Sequence, residues 1–231
     1  MPGRRLEVLV ALLAMTAGAT DAISFLGLGG VFSSVMTANM VLLGLSAGKL
    51  SGPLALHAGA ALTGYIVGAV AASRVTALAG RRPAPVFALL VAEGIVLACT
   101  AVGWEVAGAH PSGAAQVALL AGAAAAMGSQ SSVVIALAIP GISTTYMTGM
   151  LTGILADLAT PAGPAVRNRL RLLATLIAGA IAGGVTYAQA PRLAPLIPLV
   201  PLACAIGLAA STRSEMADVQ RDPSDSGKAT G

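Results

Sequence analysis

Few residues in this chain could do chemistry, and they are spread thinly through apolar sequence. Asp21 is an acid near the end of an apolar block that runs from Leu6 to Leu28. Ser34, Thr37 and Asn39 follow within one short stretch, and Gln130, Thr145 and Thr148 lie in the second half. Carboxylate, hydroxyl and amide groups can hold a small solute or an ion through hydrogen bonds and dipoles. An acid within a membrane span costs about 2.5–3.5 kcal/mol to insert and is a functional candidate by default. Asp21, Ser34, Thr37, Asn39, Gln130, Thr145 and Thr148 are therefore the candidate substrate-binding residues. Each has a plainer role open to it. Asp21 can be an interfacial acid or a cap for the following turn. Thr37 and Asn39 can supply helix–helix hydrogen bonds, worth about 0.6 kcal/mol each on average. Gln130, among Ser129, Ser131 and Ser132, can act as packing glue. Glu93 is a lone acid in another apolar block, as well suited to a structural hydrogen bond as to a proton relay. Asp157, close to Pro161, reads as a boundary acid.

No pattern for covalent or metal chemistry accompanies these groups. HExxH, GxSxG, the P-loop and paired DxD-type carboxylates are all absent from the sequence. Cys99 and Cys204 lie in apolar runs and read as small buried hydrophobes. There is no CxxC or Cys/His cluster, so neither a metal nor a cofactor is expected. His57 and His110 have no evident partner. The expectation is that the chain is not an enzyme.

The elements that must position the candidates come in two copies. Val31–Pro53 returns as Ile142–Pro164 without a gap, at an offset of 111 residues (Gly141 against Gly30). Met36-Thr37 falls on Met147-Thr148, Ser33-Ser34 on Thr144-Thr145, and Gly52-Pro53 on Gly163-Pro164. The register continues into Gly68-Ala69-Val70-Ala71 against Gly179-Ala180-Ile181-Ala182. Self-similarity of this kind organises the whole fold. Gly64, Gly68, Gly179 and Gly183 form small-xxx-small faces of the sort that pack helices in lipid.

Composition gives the class. Of 231 residues, 56% are hydrophobic and only 10% charged, with mean hydropathy +0.86; soluble domains carry roughly 25% charged residues. Eight apolar blocks follow one another: Leu6–Leu28, Val31–Leu50, Leu54–Ala72, Pro85–Ala107, Ala114–Ile139, Ile142–Ala159, Leu170–Ala188 and Leu193–Ala210. The first, behind Arg4-Arg5, is too long for a signal-peptide core and reads as a retained span. Arg74, Arg81 and Arg82 follow the third block, whereas Arg167, Arg169 and Arg171 precede its repeat partner. Short Arg-rich loops stay in the cytoplasm. The equivalent helices must then run in opposite directions, so the repeats are inverted and each crosses an odd number of times.

The expected fold is an all-α polytopic membrane protein, residues 1–210, with repeats over about 6–107 and 113–210. It has about six spans plus two re-entrant or broken helices, Val31–Leu50 and Ile142–Ala159. Residues 211–231 are polar and read as a disordered cytosolic tail. Arg4-Arg5, both Arg clusters and the C-terminus face the cytoplasm. Lys49, Glu105, His110 and Arg192 lie outside.

The string Gly18-Ala-Thr-Asp21-Ala22, Phe32 and Met36-Thr37-Ala38-Asn39 resembles the opening signature of the YoaK-like family. These are small bacterial inner-membrane proteins grouped as a domain of unknown function. Gly128-Ser-Gln130 and Thr145-Tyr146-Met147-Thr148-Gly149 agree with it in the second half. The similarity runs from about residue 6 to 210. One departure is visible: Ala38 stands where the family usually has Gly. The resemblance implies a polytopic membrane protein, commonly with six spans, and no established substrate.

The functional expectation is a small-solute transporter or channel of the bacterial inner membrane, with a polar site between the repeats. The alternative is a non-transporting module that packs against a partner protein. The +4 charge sits in short inter-block clusters, so no nucleic acid is expected. The partners are the lipid bilayer, a small neutral or cationic solute, and a second copy of the chain as an option.

Overall fold

The computed structural model describes residues 3–79, 84–137, 149, 151, 152, 155 and 164–221. The described residues form seven α-helices: α1 (Gly3–Gly27), α2 (Met36–Gly48), α3 (Gly52–Ala79), α4 (Ala84–Val106), α5 (Gly113–Ala136), α6 (Pro164–Gln189) and α7 (Leu199–Arg221). A 3-10 turn, Ala194–Leu196, lies before α7. The breaks fall where the backbone chemistry requires them. Gly29 and Gly30 take φ of +99° and +73°, values that side chains disfavour, and turn the chain after α1. Pro191, Pro195 and Pro198 separate α6 from α7.

Among the described residues, six helices are long and apolar enough to cross a membrane: Arg4–Gly27, Gly52–Leu78, Pro85–Val106, Gly113–Ala136, Val166–Gln189 and Ala194–Ser211. α2 is not, with only 13 residues. At about 1.5 Å per residue it is about 20 Å long, against the ~30 Å of a hydrocarbon core. The second polar segment, Ile142–Ala159, lies almost wholly outside the described residues. α7 runs on to Arg221, past residue 210, where the membrane domain was expected to end.

Hydrogen bonds set the helix directions. Gln130 Nε2 donates to Leu13 O, and Gln116 Nε2 donates to Gly27 O. Rising numbers on α1 meet falling numbers on α5, so these two run antiparallel. α3 and α5 run parallel: His57 meets Gln116, Ser132 Oγ donates to Ala69 O, and Ser73 Oγ to Ser132 Oγ. α1 and α6 also run parallel. Asn168 Nδ2 donates to Glu7 Oε1 at 2.7 Å near their N-termini, and Gly183 abuts Ala19 further along.

Glycines allow the tight pairs, α3 on α5 and α1 on α6. A Cβ at Gly68 would overlap the Ala125 carbonyl, and one at Gly179 would overlap that of Met15. Likewise Gly128 touches the Tyr65 carbonyl, and Gly18 that of Leu176. Gly68 and Gly179 stand at matching positions of the 111-residue register, and Gly128 and Gly18 are one residue off it.

Two ends result. Glu7, Arg171 (3.8 Å from Glu7) and Asn168 lie at one end, with Ser73, Arg74 and Leu137. Gly27, His57, Trp104, Gln116 and Tyr187 lie at the other. There the Trp104 indole N–H donates to Pro191 O. Cys99 and Cys204 are exposed, not buried as their apolar context suggested. In a bilayer the surrounding solvent is apolar, so small apolar side chains gain nothing by turning inward.

Candidate functional site

The polar residues gather around a loop folded back on α1. Residues 28–35 leave α1 at Gly27 and turn back along it, so that Ser33 and Ser34 reach Asp21. Asp21 lies six residues before the helix end, about 9 Å in depth. Asp21 Oδ1 accepts the Ser33 N–H at 2.8 Å, the Ser33 hydroxyl at 2.9 Å and the Ser34 N–H at 2.7 Å. Asp21 Oδ2 accepts the Ser34 hydroxyl. Oδ1 thus takes three donors and Oδ2 one, which leaves Oδ2 an acceptor position. The three residues are buried.

Asn39 fastens the same loop from α2. Its Oδ1 accepts the Phe32 N–H at 3.0 Å, and its Nδ2 donates to Phe32 O at 2.6 Å. Phe32 also stacks on Phe25 of α1, with ring centroids 4.9 Å apart. From this anchored start α2 returns to the end it came from. Gly29 packs on His57 in the second turn of α3, so α1 ends and α3 begins side by side.

Asp21, Ser34 and Asn39 are thus brought together in one network, with Ser33 as the partner not singled out from sequence. The Ser33-Ser34 hydroxyl pair was visible; that both residues face the carboxylate depends on a turn that no periodicity reports. Thr37 is exposed on the first turn of α2 and takes no part. Gln130 is buried two turns deeper, against Leu13 O, and its Oε1 meets no donor. Ser132 bonds to Ala69 across the α3–α5 joint. Thr145, Thr148 and Asp157 lie outside the described residues. Glu93 is buried, and neither of its carboxyl oxygens has a hydrogen-bond partner among the described residues. His57, expected to pair with nothing, is held on both sides: Nδ1 lies 2.7 Å from Pro53 O and Nε2 lies 3.0 Å from Gln116 Oε1.

A cavity of about 30 Å³ lies between α1, α4 and the Pro195–Pro198 turn. The hydroxyl-bearing residues Thr20, Ser24 and Thr100 line it, with Leu97 and Trp104. It reaches the residue beside Asp21 but neither Asp21 nor Thr37. Among the described residues no group of three His, Cys, Asp or Glu is placed to hold a metal ion.

Residues 9–208 match the family described as "Protein of unknown function (DUF1275)". The chain belongs to this family. It is 34% identical over 158 residues to "UPF0700 transmembrane protein YoaK" of Bacillus subtilis (strain 168), covering 66% of this chain and 67% of that protein. No solved structure matches. Together with the six long apolar helices, this makes the chain a membrane protein.

Proposed function

We propose that the protein is a small-solute transporter or channel of the bacterial inner membrane, built from two inverted repeats, with its N- and C-termini in the cytoplasm. The observation that carries this reading is the antiparallel packing of α1 on α5, helices that occupy the same place in the two copies. Opposed repeats with a helix break in each are the arrangement that places a solute site near mid-membrane. The loop 28–35 with α2 would be the break in the first copy, re-entering and leaving on one side. Non-helical backbone at such depth is tolerated only when protein covers it or water reaches it, and Asp21 and Asn39 supply its hydrogen bonds. In this reading Asp21 and Asn39 hold the break in shape, while Thr37, Gln130, Thr145 and Thr148 are left to meet the solute. The Arg-rich end carrying Arg74 and Arg171 is the cytoplasmic one. The solute is small and neutral or cationic, since no Arg or Lys lies deep in a span to receive an anion. The chain has no catalytic role here.

One observation favours the second reading, a non-transporting module. Asp21 is already engaged by four donors from its own loop, and the small cavity beside it does not reach its carboxylate. Reconstituted liposomes separate the two. The transporter reading expects uptake of some small neutral or cationic solutes above protein-free vesicles. Absence of uptake across a panel of such solutes, with and without a proton gradient, sinks it in favour of the module.

A further inference from the structure

Glu93 lies near the middle of α4, nine residues from Ala84 and thirteen from Val106, so about 14 and 20 Å from its ends. Its carboxyl is buried, and among the described residues both oxygens are unpartnered. A bare carboxylate in such a place is expensive, whereas a neutral or cation-bound one is tolerable. A third orphan is close in level. Thr100 of α4 faces Gly122 of α5 and Gly103 faces Leu119, so the two helices run antiparallel. Seven residues back along α4 and eight forward along α5 reach Glu93 and Gln130 at the same depth. Gln130 Oε1 is likewise buried without a donor.

The same face of α4 continues from Glu93 through Leu97, Thr100 and Trp104, at helical spacings of four, three and four residues. The latter three line the 30 Å³ cavity. A space of that size holds about two waters. The Thr20 hydroxyl donates to Thr16 O and that of Thr100 to Leu97 O, which leaves their lone pairs free for water. The α4 lining therefore stops at Leu97, four residues along the helix from Glu93.

We propose that Glu93 is an exchangeable proton site inside the membrane, reached from the Trp104 end through the Thr20–Ser24–Thr100 cavity. A metal cation is the poorer occupant. Hard divalent cations take six or more oxygen ligands, and three orphan oxygens do not approach that. α1, which also lines the cavity, carries Arg4, Arg5, Glu7 and Asp21; Asp21 is next to the cavity residue Thr20 and is bonded to Ser33 and Ser34. Among the described residues, α5 and the 3-10 turn carry no titratable group. α3 carries His57, Tyr65 and Arg74, with Arg74 exposed. α7 contributes only Cys204 over Leu199–Ser211, and it is exposed; α4 itself adds Cys99 and Glu105. As the coupling site of transport the proposal rests on the transporter reading; as a proton site it does not.

Infrared spectroscopy of the purified full-length protein in lipid nanodiscs tests it without any transport assay. A protonated-carboxyl C=O band should be present at low pH, fade as pH rises, and be missing in Glu93→Gln. Filling the cavity with Thr100→Leu should slow deuterium exchange of that band at least tenfold. If no such band exists at any pH, or if it persists in Glu93→Gln, the proposal is overturned. Loss of the band on adding sodium at constant pH would also overturn it, in favour of a metal cation. In liposomes, solute uptake that keeps its dependence on a pH gradient in Glu93→Gln would remove the coupling role alone. A Glu93 band without any uptake would leave the proton site standing and the transporter reading refuted.

Discussion

At the scale of single residues, the Asp21 carboxylate is the joint on which the first half turns. Four donors converge on it from Ser33 and Ser34. Buried donors left without an acceptor cost about 1–3 kcal/mol each, with incomplete additivity. Asp21→Ala should therefore destabilise the protein by about 3–5 kcal/mol, a loss large enough to lower the thermal midpoint in detergent by several degrees. An unchanged midpoint would mean that the loop is held by other contacts. That Asp21 mattered was legible from its place in an apolar block, because a charge there must have a reason. Its partner was not legible, since a loop that doubles back leaves no periodic trace. Thr37 stood out by recurring as Thr148, but recurrence does not specify which way a side chain faces. Cys99 and Cys204 were misplaced because burial rules drawn from water do not hold where lipid is the solvent.

At the scale of elements, close helix joints replace a large-residue core. Gly68 and Gly128 bring α3 against α5, and Gly18 and Gly179 bring α1 against α6. Added methyls meet backbone there, not the movable end of a side chain. Gly68→Ala should cost about 1–3 kcal/mol through overpacking. Gly59→Ala lies on the same helix with nothing within 4 Å of the added carbon. It should be neutral or stabilising by up to about 1 kcal/mol through helix propensity. Thermal unfolding of the two variants side by side checks this, and equal losses would contradict the joint. The small-xxx-small spacing announced these faces in the sequence; which helix each would meet was not announced. The shortness of α2 was also only half visible. Val31–Leu50 looks long enough to span, but its first residues are spent on the turn and the Asp21 network, leaving 13 residues of helix.

At the scale of the whole molecule, two features of the sequence predicted opposed directions: the 111-residue register and the exchange of Arg residues from one helix end to the other. In the structure α1 and α5 pack antiparallel. The segment carrying Thr145 and Thr148 lies outside the described residues. The central claim is that repeat-equivalent helices cross the membrane in opposite directions. Single cysteines at Leu78 and Arg167, both exposed, test it most directly, introduced into a chain lacking Cys99 and Cys204. α3 has 28 residues and at about 42 Å outruns the hydrocarbon core, which carries Leu78 into water. A third cysteine variant at Arg192 marks the opposite side. Labelling with an impermeant maleimide on intact cells and on inverted vesicles should place positions 78 and 167 together on the cytoplasmic side and position 192 outside. If positions 78 and 167 report opposite sides, the halves are parallel and the account fails.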